Sequence, residues 1–537
     1  DLGSLEALLG DLYLVDNGLT SVDLSLLTVL GGLYLYNEDL SAFDLSGLDA
    51  PLTGNFYVAY NYDLDDFGWP EFDALDGDFV WTYNGPTDAI EADGLTSVGG
   101  SLRVSDASWG TIEDLEFGDL QSVGGEVRLD YLDSVETVDL ARLEEVGSSF
   151  RIYYSDYIET VDVGSLVSVG GDFYLYDVGY YAEDFDLDVS LLEEVSGAVY
   201  LSYLSYYGDG KDIDLDFDSL DTLGGSFNVY YVNGYYGGDV TIGAPLLTSM
   251  NGGMNIRYNG RSYSSSNSPG DVDIDFSALE TLGNNVAIYY NGYGSNIGNG
   301  ASSGDVSVDL SSLRSANGTL EFSYNGYCSS GSSSWRCYAG TVDFSAPALE
   351  TIGNSNAYFN YNGYAEYGEA GDVTIDVSSL TSISGRLDLN YNGYSYLYKC
   401  YETAYGGDVE LLFTDLETVG SDFNMSYTGY AYNPCHGHNS YSDPGTVEMD
   451  FSSLREVYYL YFYRTGVRDF DLWGSLETVT SNMYIRYNYR LHDISGLEGG
   501  DTVQYMNITY NYDLGDSEAW DVYYSWSSVG SYDIYSN

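Results

Sequence analysis

One segment recurs along the whole chain and leaves it few folds: Leu-x-x-Val-Gly-Gly-x-Φ-x-Φ-x-Tyr-Asn-Gly, with Φ apolar, then a variable stretch and a Val-Asp-Leu-Ser-Ser-type segment leading into the next Leu. A repeated unit of this size cannot bury its apolar face alone, so neighbouring units must stack on one another. Taking the first apolar residue after the glycine pair as a marker, the units fall at Leu12, Leu33, Phe56, Phe79, Leu102, Val127, Phe150, Phe173, Val199, Phe227, Met254, Val286, Leu320, Ala357, Leu387, Phe423, Leu460, Met483 and Met506, with a degenerate last unit around Tyr532 and Ile534. Spacings are 21 to 25 residues over the first eight markers, 26 to 37 in the middle and 23 again at Met483 and Met506.

Marker and marker+2 are apolar almost throughout, as in Leu33/Leu35 and Val286/Ile288, whereas +1 and +3 are mostly Tyr, Arg, Asn, Ser or Asp. This period-two alternation predicts one strand per unit with one face buried. A second short alternation, such as Asp271-Val-Asp-Ile-Asp-Phe276, predicts a second strand before the next Leu-x-x-Val. Two strand segments per turn, glycines at the corners and no helical periodicity describe an all-β fold, a parallel β-solenoid of about 20 coils without evident end caps. Coils about 4.8 Å apart would make a rod on the order of 95 Å long. With eight prolines and no charge-block linker, 1–537 reads as one continuous solenoid: short coils over 1–198, coils with long Gly/Ser/Tyr/Asn-rich insertions over 199–459, and short coils over 460–537.

The Leu-x-x-Leu…Φ-x-Φ-x-x-Asn skeleton resembles a leucine-rich repeat. The glycine pair before the strand, as in Leu95-Thr-Ser-Val-Gly-Gly-Ser-Leu102-Arg-Val104 and Leu220-Asp-Thr-Leu-Gly-Gly-Ser-Phe227-Asn-Val229, is more similar to the receptor L-domain type, which also occurs in fungal cell-wall and bacterial surface proteins. The resemblance spans essentially the whole chain and implies a scaffold at a cell surface. It carries over no catalytic residue, and the Cys-rich modules and caps usual in the family are missing from this sequence.

Charge narrows the partners. Sixteen Lys+Arg against 84 Asp+Glu give a net charge of −68, which argues against nucleic acid, since duplex binding needs a basic footprint that releases counterions. An anionic membrane surface is disfavoured for the same reason, and no apolar stretch is long enough to span a bilayer. The 59 tyrosines and 44% hydrophobic residues separate the chain from acidic disordered sequences. The start, Asp1-Leu2-Gly3, has neither an initiator Met nor a signal segment and reads as processed.

Two ladders follow from the repeat. Asn stands at marker+5 in ten coils, at Asn17, Asn61, Asn84, Asn259, Asn291, Asn325, Asn362, Asn392, Asn488 and Asn511, and nine of them follow a Tyr at marker+4. A turn Asn repeated coil after coil is expected to bond the neighbouring coil's backbone, with the next Gly accepting positive φ. The outward positions of the first strand carry Tyr13, Tyr34, Tyr57, Tyr174, Tyr461 and Tyr484 with Arg103, Arg128, Arg151, Arg257 and Arg486. Such residues suit a binding face for glycan or for another copy. Strand propensity and cross-strand packing of tyrosine account for the same pattern without a ligand.

The second strand brings Asp139, Asp162, Asp216, Asp275, Asp309, Asp376 and Asp450 to equivalent places, and Asp239 and Asp408 follow glycine pairs. Calcium is one reading of these columns and solvated carboxylates are the other, since neither a repeat-in-toxin pattern nor an EF-hand loop occurs. No other cofactor is indicated. Cys328 and Cys337 share one central insertion, while Cys400 and Cys435 stand at near-equivalent offsets of adjacent coils, so disulfides Cys328–Cys337 and Cys400–Cys435 are expected, and with them an extracellular or cell-surface setting. Sequons begin at Asn317, Asn424 and Asn507. Catalysis has little footing: three histidines, His436, His438 and His492, and acids too numerous for any pair to stand out. Both ends of the chain read as half-coils, so the expectation is a non-enzymatic extracellular structural protein that assembles head-to-tail into a filament or surface layer. The alternative is a monomeric adhesion or recognition ectodomain that binds glycan or protein through its Tyr/Arg face.

Overall fold

Every coil is built on the same local device. The Val position of Leu-x-x-Val points into the core, a short corner turns the chain, with one or two glycines in most coils, and the marker strand then runs with its +0 and +2 side chains buried. The computed structural model describes residues 3–535 and 537, apart from 38, 86, 93, 106–111, 183, 209, 333–334, 354–355, 399–401, 435–441, 471–472 and 475. It is an all-β parallel solenoid with little helix, in two units, Asp1–Asn228 and Val229–Asn537.

In the first unit the marker strands run from Leu12–Val15 through Phe79–Thr82 and Phe150–Ser155 to Val199–Ser202. They pair in parallel with each marker opposite the next, Leu12 on Leu33, Leu33 on Phe56 and so on to Phe173 on Val199. The second alternation forms its own short parallel sheets, Ser21–Asp23 to Asp66–Gly68 and Ala89–Glu91 to Asp186–Asp188. A third strand, only two residues long, falls on the x-Val of the consensus, as at Ser97–Val98 and Ser122–Val123. A full turn of this unit therefore has three strand segments where the sequence suggested two, except before Phe56, where Leu52 makes an isolated bridge to Leu75. The consensus Val fills the core and also pairs its backbone with the coil beside it, as Val98 with Val123 and Val123 with Val146. Inside, marker phenylalanines stack, with the Phe150 and Phe173 rings 5.2 Å apart, and each fully buried Leu, Val or Phe contributes about 1.5–3 kcal/mol.

The second unit repeats the pattern from Met254 on Val286 to Met506 on Tyr532. Only the Met254 coil of this unit has an adjacent glycine pair just before its marker. In the coils from Phe423 on, the x-Val and marker segments fuse into long strands, Thr418–Ser426, Glu456–Tyr463, Thr478–Arg486, Thr502–Thr509 and Ser528–Tyr535. The corner survives in three pairings of these strands as a register shift, at Val419/Asp422, Val457/Leu460 and Val479/Asn482.

The Gly/Ser/Tyr/Asn-rich insertions stack as further sheets, one of five strands from Gly294–Ile297 to Ala431–Tyr432 and one of three from Ala301–Ser302 to Gly368–Glu369. They return to the coil through a column of glycines in close backbone contact. A β-carbon on Gly304, Gly340 or Gly371 would lie 1.8, 2.0 or 2.0 Å from the carbonyl oxygen of the glycine one coil earlier.

The absence of helix expected from the sequence is corrected in the last turn, where Asp516–Ser525 is α-helical and buries Ala519 and Val522. Asp516 and Glu518 sit in its first turn, where carboxylates favour the helix dipole. Two apolar contacts in ten residues make too faint a period to read.

Candidate functional site

The marker+4 position decides where the aromatic rings go. Every described residue there has positive φ, from Asp16 and Asn37 through fourteen tyrosines to Arg464, and the tyrosines lie between 47° and 64°. The sequence reading gave this conformation to the glycine after Asn. That glycine adopts it too, as at Gly292 and Gly326, but the tyrosine one residue before Asn comes first. A bulky residue in the left-handed region is strained by itself and persists only where its surroundings over-determine it.

The Asn ladder is part of what holds it. Nine of the ten marker+5 asparagines are buried, and Asn17 is exposed. Asn325 is typical: its Oδ1 accepts the backbone N–H and the side-chain amide of Asn291, both at 3.2 Å, and its Nδ2 donates to the Ile288 carbonyl at 3.1 Å. The last rung is Asn537, whose Oδ1 accepts the Asn511 N–H at 3.3 Å. Sequence reading missed it because its coil is degenerate, although it stands five residues after Tyr532.

In the first unit the outward residues of the marker strands form one column. Tyr13 stacks on Tyr34 with ring centroids 4.5 Å apart, and Tyr34 lies 6.0 Å from Tyr57. Val80 interrupts, and Arg103, Arg128, Arg151 and Tyr174 then occupy four successive rungs. Three arginines in line would repel, and acids neutralise them. Arg128 pairs with Asp130 at 3.1 Å, while Arg151 reaches Glu126 at 3.1 Å and Asp172 at 3.2 Å. Arg103 lies 3.7 Å from Glu126.

Beside these pairs is a pocket of about 200 Å³ lined by Arg128, Tyr131, Tyr153, Tyr154, Tyr174 and Tyr176. The Arg128 guanidinium lies 5.6 Å from the Tyr153 ring centre. Tyr131 and Tyr154 stack at 5.4 Å, and Tyr153 tilts against Tyr174 at 5.0 Å. Burial pushes the Tyr174 phenol up to about 12, helped by Tyr200, and raises Tyr153 and Tyr176 as well, so the pocket presents neutral hydroxyl donors. Tyr131 and Tyr154 were missed because marker+4 was read only as a turn. The signal was that Leu132 and Ser155, not Asn, follow them.

The other candidate residues belong to the second unit. Arg257 lies over Tyr230, 4.4 Å from its centre, and donates to the Tyr289 hydroxyl. Tyr461 and Tyr484 meet edge to face at 6.0 Å, and the Arg486 guanidinium is 5.4 Å from the Tyr487 centre. Here the marker+4 tyrosines form a stack of seven rings from Tyr231 to Tyr427, with neighbouring centroids 4.5 to 5.0 Å apart. A second stack at marker+7 runs from Tyr293 through Tyr327 and Tyr364 to Tyr394 and Tyr430.

The aspartates are taken up by the backbone. Asp139, Asp162, Asp275, Asp309, Asp376 and Asp450 each accept the N–H two residues on and open the turn into the Leu segment. Asp239 accepts the Asp271 N–H at 2.8 Å and Asp408 the Thr446 N–H at 2.7 Å, each linking one coil to the next. Among the described residues no group of three or more His, Cys, Asp or Glu stands close enough to hold a metal ion.

Cys328 and Cys337 form a disulfide, packed with Ile297 and Ala365. Cys400, Cys435, His436 and His438 lie outside the described residues. Of the sequons, Asn317 is exposed and Asn424 is half-buried and donates to Asp388. Asn507 is buried, with its amide bonded to Tyr505 and Thr509, so it is no glycan acceptor in the folded chain.

No protein-family profile matches the chain, and no curated protein matches it. Among solved structures, a plant peptide hormone receptor, RGFR1 in complex with RGF2, aligns over 98% of this chain and 95% of its own at 10% identity, with a TM-score of 0.13. A likeness that loose carries no argument about fold or function.

Proposed function

We propose that the protein is a non-enzymatic, extracellular recognition scaffold, and that the tyrosine-lined pocket beside the arginine rungs of its first unit binds a neutral glycan. The observation that carries this reading is the pocket itself: five tyrosines and Arg128, drawn from three successive coils, around about 200 Å³. Aromatic rings offer apolar faces to sugar C–H groups, and the Arg and Tyr side chains supply donors for hydroxyls. Charge selects the neutral class. Arg103, Arg128 and Arg151 are balanced by Glu126, Asp130 and Asp172, and the chain as a whole carries −68, so a polyanion gains no attraction there. The extracellular setting is supported by the Cys328–Cys337 disulfide.

The test is a panel of immobilised neutral and acidic oligosaccharides, followed by calorimetry with the best ligand. Tyr153→Ala and Tyr174→Ala are each expected to weaken binding about tenfold, the loss of roughly 1.4 kcal/mol. A chain that binds no neutral sugar, or binds one equally well without both rings, overturns the reading. Sedimentation of the sugar-free protein separates it from the head-to-tail filament: a polymer whose formation ignores both substitutions would favour assembly instead.

A further inference from the structure

The tyrosine stacks of the second unit cannot act as the pocket does. From Tyr231 to Tyr427 the rings lie within 16° of parallel and 4.5 to 5.0 Å apart, so the inner rings leave only edges and hydroxyls to a ligand. Closely stacked phenols instead form a path of overlapping π systems. The marker+4 and marker+7 stacks are cross-connected, with the Tyr361 and Tyr364 centroids 5.6 Å apart and those of Tyr324 and Tyr327 6.3 Å apart. One ring differs from its neighbours: Tyr327, stacked between Tyr293 at 4.9 Å and Tyr364 at 4.8 Å, donates its O–H to the Glu366 carboxylate at 3.2 Å.

We propose that this unit is a one-electron relay, with Tyr327 and Glu366 as its proton-coupled redox site, accepting oxidising equivalents from one-electron oxidants such as high-valent metal complexes. The oxidant takes one electron from a half-exposed ring of the stack and is reduced by one unit. The vacancy passes from ring to ring until Tyr327 fills it, and as it does so its O–H bond breaks and the proton moves to Glu366. Tyr327 is left a neutral tyrosyl radical. An electron from an external one-electron reductant, such as ascorbate, with the proton returned from Glu366, restores it. Burial and the Glu366 charge raise the Tyr327 phenol, so its proton leaves only when the electron does. The hydrogen bond is within the reach that proton transfer requires.

Laser flash-quench with ruthenium tris-bipyridine tests this on the full chain, with transient absorption and electron paramagnetic resonance to follow the radical. In the wild type the radical should form at Tyr327 and form more slowly in deuterated water. Glu366→Gln keeps the side chain's shape and should slow that step about a hundredfold, the low end of a lost general base, and abolish the isotope effect. Tyr327→Phe keeps the stacked ring and should shift the radical to other tyrosines with a shorter lifetime. Circular dichroism melting establishes that both variants are folded. Equal rates and isotope effects in wild type and Glu366→Gln, or a wild-type radical located on exposed tyrosines such as Tyr157 of the first unit, overturn the proposal.

Discussion

Replacing Asn325 by alanine tests whether the Asn ladder is the element that fixes coil to coil. Asn325 is fully buried, and its truncation leaves the Asn291 N–H, one Asn291 amide hydrogen and the Ile288 carbonyl without the partners they have at 3.2, 3.2 and 3.1 Å. A buried polar group without its partner costs about 1–3 kcal/mol. The Asn362 Oδ1 still receives the Asn325 backbone N–H, and the Ile288 oxygen loses only one of two possible bonds. The expected cost is therefore about 3–6 kcal/mol, the lower half of the range being the better expectation. Asn17→Ala, on an exposed rung, should stay within about 0.5 kcal/mol. Stacked coils open locally and do not unfold in one step, so the readout is native-state hydrogen exchange with mass spectrometry. Peptides covering 286–297 should exchange at least about a hundredfold faster in the variant, the equivalent of about 3 kcal/mol. An exchange profile no different from that of Asn17→Ala would refute the ladder argument. It would leave apolar stacking and the marker strands as sufficient to hold the coil.

Cys337→Ser should lower the stability of the insertion closed across nine residues by about 2.6 kcal/mol, the chain-entropy figure for a loop of that length, seen as faster proteolysis near 328–338 with the first unit unchanged. Gly340→Ala should disrupt its coil, because the new β-carbon would lie 2.0 Å from the Gly304 carbonyl oxygen; a variant that melts with the wild type would show that the glycine column has room to relax. Asp156 is raised from 3.8 to about 6 by burial, then by Asp133 and Asp177, so the folded chain favours its protonated form, and the stability this confers is present below about pH 4 and lost as pH rises towards 6. Asp156→Asn should therefore gain stability relative to wild type across that window, measured as the difference in Tm at each pH, and a constant difference would contradict the assignment.

The repeat was legible because it is written in residues whose physical role is the same in every coil. The markers from Leu12 to Val199 in the first unit and from Met254 to Met506 in the second pair in the predicted register, since a one-residue slip would turn the whole apolar set to solvent. What the sequence hid was of two kinds. The insertions look like loops, being rich in Gly, Ser and Tyr, yet short runs such as Gly294–Ile297 and Cys328–Ser330 still form sheets, because stacking supplies each with a partner strand that no local pattern announces. The left-handed tyrosines break a conformational preference, and Tyr-Asn-Gly invites the reading that Gly alone absorbs the positive φ. Only the in-register contacts, as between Tyr290 and Tyr324 at 4.5 Å, supply the interactions that offset the strain. The candidate pocket was half legible for the same reason. Arg128, Tyr153, Tyr174 and Tyr176 alternate outward on strands, whereas Tyr131, just past its strand, and Tyr154, near the end of Phe150–Ser155, reach the pocket from left-handed marker+4 positions.

In-register stacking places a side chain against its equivalent one coil away, so the residues that suit a column are those that suit themselves. Apolar side chains do, and so does Asn, whose amide both donates and accepts, Tyr, whose rings stack, and Gly, which lets backbones touch. Asp fits only by accepting a backbone N–H, as Asp239 and Asp271 do at 2.8 Å each. Basic residues do not fit at all, since neither Lys nor Arg can accept from its neighbour and like charges repel. Only two lysines occur in 537 residues, and arginine supplies the other fourteen cations. Three of those arginines nonetheless occupy consecutive rungs of one column, Arg103, Arg128 and Arg151, held by the carboxylates of Glu126, Asp130 and Asp172. A solenoid needs no such stripe for its folding, and Tyr or Asn at those rungs would stack with less opposition. Local choices that run against the rule obeyed elsewhere in a structure mark places shaped for something other than stability, and this one borders the tyrosine-lined pocket.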